Sequence, residues 1–261
     1  MNNERLIRTF SELCQISSPT GHENAVADYI MDALRPYPVR CIQDEAGKQF
    51  GGQCGNLIVD VGQGQPSLLL DAHMDTVGPC ERITVKRSAD RLESDQTSIL
   101  GADDKAGVAI LLELIRMVHE HDQPVPVFRC VFSVSEEVSL RGVKGLDPRL
   151  LEGIRTGLIL DGEGKPGQVT VQSPFSWKGT LRIQGREAHA GVEPEKGIHA
   201  LVIAADAINQ LKVGRINAQT TFNIGLIEGG TATNVVMGCV TMTCEARSLD
   251  EQELISTVEQ V

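Results

Sequence analysis

Four clusters of acidic and histidine residues recur along the first two-thirds of the chain: His73 with Asp75, Asp103 with Asp104, Glu136 with Glu137, and Asp161. Taken singly, an H-x-D triplet or an E-E pair is ordinary solvated charge. Context joins them. PSLLLDAHMD, VPVFRCVFSV followed by SEE, and GLILDGEG each read as a short apolar run that ends abruptly in charge. Buried parallel strands end that way where they emerge at a sheet edge. Asp103 and Asp104 lie in the glycine-containing loop SILGADDKAG, at the opening of a helical stretch. In open α/β sheets such positions converge on one crevice at the carboxyl edge, where ligands bind. Carboxylates crowded there raise one another's pKa unless cations neutralise them, and a divalent metal pair does so. Imidazole with carboxylates suits zinc, with manganese or cobalt as substitutes, better than calcium or magnesium. His73 and Asp75 leave a strand end on the same face. Asp75 is therefore expected to accept the second ring N–H of His73 and fix its tautomer. Glu136 and Glu137 are adjacent and point apart in extended backbone, so one can bind metal while its neighbour faces substrate as general base.

The elements that must hold these groups follow from periodicity. Residues 3–34 read as two helices, the second opened by Thr20 with Glu23 at capping-box spacing, which leaves His22 on the surface. Residues 39–65 carry short strand-like pieces, and an amphipathic helix is expected over 105–121. Strands alternating with helices indicate an α/β fold with a mostly parallel sheet flanked by helices. The texture changes after Pro174. There SWKGTLRIQGR reads as a strand, EKGIHALVIAADAINQLK as a helix, and TTFNIGLIEGG and NVVMGCVTMTCEAR as two further strands. Leu254, Ile255, Val258 and Val261 then recur at helical spacing. That order is a ferredoxin-like α+β unit without its last strand. The domains expected are thus residues 1–173, bearing the clusters, and residues 174–261.

Composition narrows the partners. The 261 residues hold 35 acidic and 24 basic side chains, a net charge of −11, which disfavours nucleic acid and anionic membrane surfaces. Aromatic residues are 3%, too few for a base-stacking platform. No apolar run nears the ~20 residues of a membrane span, and MNNERLIRTFSELCQ reads as the start of an amphipathic helix rather than a secretory signal. Seven cysteines, at 14, 41, 54, 80, 130, 239 and 244, form no C-x-x-C pair. They fit inert thiols in a reducing cytoplasm better than a disulfide framework or a zinc ribbon.

The motifs HMD, GADDKAG, SEE and LDGE, in that order, resemble the peptidase T branch of the dinuclear-zinc exopeptidases, whose relatives include aminoacylases, carnosinases and glutamate carboxypeptidases. The resemblance runs from TGHE to TATNVV and ARSLD. It implies a metallo-aminopeptidase that releases the N-terminal residue of short peptides, tripeptides above all, with a metal-bridging water. It assigns His73, Asp103 and Asp161 to one zinc, with Asp103 bridging to a second that Glu137 also binds. Glu136 is implied as general base, Asp75 as the supporting carboxylate, and the peptide bond between Asp103 and Asp104 as cis. The small domain is implied to be a lid that also allows a homodimer. In it His189 would polarise the scissile carbonyl, while Asn234 and Arg247 would hold the substrate's backbone or carboxylate. His119, His121 and His199 have no counterpart and are expected on helix surfaces. The histidine that completes the family's second zinc has no counterpart either. The resemblance therefore also allows a truncated chain that binds about one zinc and has little activity. A second enzymatic reading keeps the metal chemistry but deacylates N-acyl amino acids.

Overall fold

Apolar strand residues stop at His73, Ser133 and Ile159, and all three stops lie along one edge of a sheet. A computed structural model describes residues 1–121, 126–162, 164, 165 and 167–261. The chain divides between Gln168 and Val169 into two compact units. The first begins with helices α1 (Asn3–Gln15) and α2 (Asn24–Leu34), then strands β1 (Arg40–Gln43), β2 (Leu57–Val61) and β3 (Leu68–His73). A hairpin of β4 (Lys86–Arg87) and β5 (Leu92–Glu93) precedes the long helix α3 (Ala102–Glu120). Strand β6 (Phe128–Ser133), the one-turn helix α4 (Arg141–Lys144) and β7 (Thr156–Ile159) follow. Val125 and Glu163, at the margins of two expected strands, lie outside the described residues.

The sheet order is β1-β2-β6-β3-β7. β3 runs parallel to both β6 and β7, but β1–β2 and β2–β6 are antiparallel, so the sheet is mixed where sequence predicts it mostly parallel. Parallel neighbours need a crossover, which α3 supplies between β3 and β6; no comparable helix separates β1 from β2. One face of the sheet carries Leu57, Val59, Leu70, Ala72, Cys130 and Phe132, packed with Leu13 of α1, Ile30 of α2 and Val108 and Leu112 of α3. The other face carries a smaller cluster of Ile58, Val131 and Leu146.

Three local expectations are overturned. Thr20 and Glu23 form no capping box: α2 starts at Asn24, and Glu23 makes no capping hydrogen bond to it. Both side chains are drawn elsewhere, Thr20 to Asp75 and Glu23 to Ser135. GLILDGEG is also not a buried strand. β7 is the outermost strand, and Leu158 and Ile159 are 45% and 53% exposed. An apolar run identifies a strand but not whether a neighbour covers it. His119 is half-buried rather than on the surface, its ring 5.5 Å from that of Tyr37.

The second unit contains β8 (Phe175–Gln184), α5 (Ala200–Gln210), β9 (Gly214–Arg215), β10 (Thr220–Gly229), β11 (Cys239–Ser248) and α6 (Glu251–Glu259). Its antiparallel sheet has the order β8-β11-β10-β9, with the two-residue β9 an addition to the expected pattern. Inward-facing Phe222, Val240, Met242, Cys244 and Ala246 pack with Ala200 and Ala204 of α5 and Leu254 of α6. Asp250 caps α6 by accepting the Gln252 and Glu253 amides, as an N-cap aspartate does.

Candidate metal centre

His73, the last residue of β3, lies opposite Ser133 in the parallel register. Its Nε2 is 3.0 Å from Asp103 Oδ1 and 3.9 Å from Asp161 Oδ2. One donor atom from each of these three residues lies within 4.8 Å of the others, and the same holds for His73 with Glu136 and Glu137. Four carboxylates from three other segments thus share one imidazole. Among the described residues, neither lysine nor arginine pairs with any of the four carboxylates.

The GADDKAG loop shows how sequence builds one corner. Gly101 adopts φ +72°, a conformation open to glycine without cost, and Asp103 and Asp104 depart from helical geometry across a cis peptide bond. The buried Asp104 carboxylate accepts the Gly107 amide at 3.0 Å and the His73 amide at 3.2 Å, tying α3 to the end of β3. A Cβ at Gly107 would lie 2.4 Å from Asp104 Oδ1, so a side chain there would have to displace that carboxylate. Sequence reading assigned Asp104 no role, although its position three residues before Gly107 is an N-cap spacing.

Asp75 acts differently from expectation. His73 Nδ1 is 2.8 Å from the main-chain carbonyl of Asp75 and 3.4 Å from its carboxylate. The carbonyl is therefore the nearer acceptor that sets the tautomer, leaving Nε2 for a metal. The fully buried carboxylate instead accepts the Glu136 amide at 2.9 Å, the Glu137 amide at 3.3 Å and the Thr20 hydroxyl at 2.8 Å. Nor do Glu136 and Glu137 point apart. The backbone leaves extended geometry at Ser135 (φ +53°) and enters a turn, so both carboxylates reach His73.

The crowded carboxylates are electrostatically strained against one another. Burial, and then the neighbouring acids, raise the carboxyl pKa values of Glu136, Glu137 and Asp161. Burial pushes Asp104 up to about 8. Burial also disfavours the His73 imidazolium, but Asp75 and the other carboxylates outweigh it and raise that pKa well above the usual histidine range. Beside the cluster, the less covered sheet face bears a cavity of about 300 Å³. Asp71, on its floor, has one carboxylate oxygen without a partner and is pushed up to about 7 by burial.

Three further predicted residues belong to the second unit. His189 and Asn234 come together, because His189 bridges Val235 and the Ala190 amide donates to the Asn234 carbonyl at 2.9 Å. The Gly191 amide donates to His189 Nδ1 at 3.2 Å, which puts the ring proton of a neutral imidazole on the exposed Nε2. Arg247 is not brought to this pair. It stands at the far end of β11, eight residues or roughly 26 Å of strand beyond Cys239. Glu245 already holds its guanidinium through two hydrogen bonds, of 2.7 and 3.2 Å.

Comparison with known proteins divides along the same two units. Residues 79–164 match the M42 glutamyl aminopeptidase family, and residues 175–261 match the peptidase dimerisation domain of the M20 family. The whole chain is 38% identical to the uncharacterized protein YqjE of Bacillus subtilis and spans 71% of it. It superposes along its whole length on the aminopeptidase PepT of Bacillus cereus (38% identity, TM-score 0.91) and on a tripeptidase of Staphylococcus aureus (36% identity, TM-score 0.94). It spans 70% of each of those two chains.

Proposed function

This chain belongs to the peptidase T-like branch of the M20 peptidases, and from that premise we propose that it serves a metallo-aminopeptidase acting on short peptides, tripeptides in particular. The observation that carries the reading is the convergence of His73, Asp103, Asp161, Glu136 and Glu137 at the carboxyl edge of the sheet. The donor set of one imidazole with uncompensated carboxylates fits a divalent transition metal, and zinc first among them. His73, Asp103 and Asp161 would hold one ion, and Asp103 with Glu137 a second. Bound there, divalent ions supply Lewis acidity and a lowered pKa for water. Glu136, its carboxyl pKa raised, takes the proton of the attacking water and returns it to the leaving amine. His189 donates its Nε2–H to the developing oxyanion, and Asn234 holds substrate backbone. Arg247 engages a substrate carboxylate through the Nη1 that Glu245 leaves free.

A tripeptide spans about 10 Å, so it does not bridge His189 and Arg247 within one unit. That separation favours a homodimer in which two chains contribute to each site. Seven free cysteines, four of them buried, favour a reducing cytoplasm. The test is a panel of free-amine tripeptides against N-acyl amino acids, assayed at defined zinc loading. Release of the N-terminal residue from tripeptides is expected. Cleavage of blocked amino acids alone would replace this reading with a deacylase.

A further inference from the structure

The turn that presents Glu136 and Glu137 is held by its main chain. Four successive amides, from Val134 to Glu137, donate to side chains of three other segments. Val134 donates to Asn56 Oδ1 at 3.1 Å, Ser135 to Glu23 Oε1 at 3.1 Å, and Glu136 and Glu137 to Asp75. The Ser135 hydroxyl donates to the same Glu23 oxygen at 3.2 Å, and the Gly21 amide at 2.8 Å. Glu23 is fully buried, and its second carboxylate oxygen has no partner. A charged-type side chain is seldom buried without a pair, and this one contributes nothing to α2, whose start it occupies. What it does hold is Ser135, a non-glycine residue at φ +53°, the left-handed conformation that such residues adopt only when the surroundings enforce it.

We infer that Glu23 is a positioning residue for the base: by accepting the amide and hydroxyl of Ser135 it keeps that residue left-handed, and so aims the Glu136 and Glu137 carboxylates at His73. Thr20, three residues earlier, serves the same turn through Asp75. The TGHE segment is thus a brace for the catalytic turn instead of a helix cap. The inference rests on the proposed role of Glu136, and its test separates the two.

Amide hydrogen exchange and steady-state kinetics of the full chain are compared in wild type, Glu23→Ala, Glu23→Gln and the double variant Glu23→Ala/Ser135→Gly. In Glu23→Ala, exchange at residues 135–137 should accelerate at least about tenfold while β6 keeps its protection. With zinc loaded, kcat should fall about 100-fold with KM within about threefold, the scale of a misaimed catalytic group. Glu23→Gln keeps the accepting oxygen and should restore most of kcat. Ser135→Gly should recover activity in the Glu23→Ala background, because glycine accepts φ +53° unaided. Unchanged exchange at 135–137 would overturn the inference, as would a Glu23→Gln loss equal to that of Glu23→Ala. So would loss of protection throughout β6 that tracks the loss of kcat, which marks a merely structural residue. Exchange reports on the brace even in an inactive chain. Full turnover by Glu136→Ala would instead remove the base assignment and leave the exchange result standing.

Discussion

At the scale of single residues, the centre separates side chains that converge on one space from side chains that aim them. His73, Asp103, Asp161, Glu136 and Glu137 present their polar atoms to a shared space, while Asp75, Asp104 and Glu23 spend theirs on backbone amides. Because the proposed ligands are His73, Asp103, Asp161 and Glu137 and the proposed base is Glu136, Glu136→Ala should leave metal binding nearly intact and lower peptide turnover by orders of magnitude, read as metal content beside kcat. The buried acids make a pH prediction for chain stripped of metal. Asp71 and Asp104 have their folded pKa values raised to about 7 and about 8, above an unfolded value near 3.9. The folded state thus holds more protons than the unfolded state between those limits, and stability falls as pH rises from ~4 towards 8. Thermal melts of the stripped protein should show Tm declining from pH 5 to 8, and zinc should flatten the decline. The convergence of the five clustered side chains was legible in sequence because strand ends and the helix opening mark them. Among the aiming groups Asp75 was expected as a supporting carboxylate, but Glu23 was not, since a hydrogen bond that it accepts from Ser135, 112 positions away, leaves no local signal.

At the scale of elements, the same GADDKAG segment starts α3 and supplies a carboxylate of the candidate centre, so its Gly107 carries a sharp prediction. At an ordinary helix position Gly→Ala stabilises by about 1 kcal/mol. At Gly107 the new methyl would meet the Asp104 carboxylate at 2.4 Å, and overpacking of that kind costs about 1–3 kcal/mol. Gly107→Ala should therefore destabilise the protein and weaken metal binding together. Denaturant melts and metal titration check both, and a stabilised variant would contradict the geometry. Periodicity exposed α1, α3 and the alternating strands β8 and β11 because each has one apolar face. It gave the wrong environment for β7, whose apolar residues Leu158 and Ile159 are largely exposed at the sheet edge. It also missed the antiparallel pairing of β1 and β2, since strand direction is decided by connections and not by the residues of the strand.

At the scale of the whole molecule, α5 bears Leu201, Val202 and Ile203 at 39%, 56% and 42% exposure, apolar area that a folded unit leaves in water only at some cost. If the second unit pairs two chains, Val202→Glu should convert a dimer to a monomer in sedimentation velocity while leaving Tm within a few degrees. A dimer indifferent to that change would place the interface elsewhere. The chemistry proposed depends above all on a divalent ion held by the cluster. The direct measurement is metal content per chain after zinc loading and exhaustive dialysis, in wild type and in Asp103→Ala, a variant whose side chain is 71% exposed and so removable without disturbing the fold. In the proposed assignment His73, Asp103 and Asp161 would give one site three protein ligands, the number found in catalytic zinc centres, while a second site would share Asp103 and add Glu137. About one tightly retained zinc per wild-type chain is predicted, and almost none in Asp103→Ala. A wild-type chain that dialyses metal-free, or an Asp103→Ala variant that retains as much zinc as wild type, would contradict the metal centre itself.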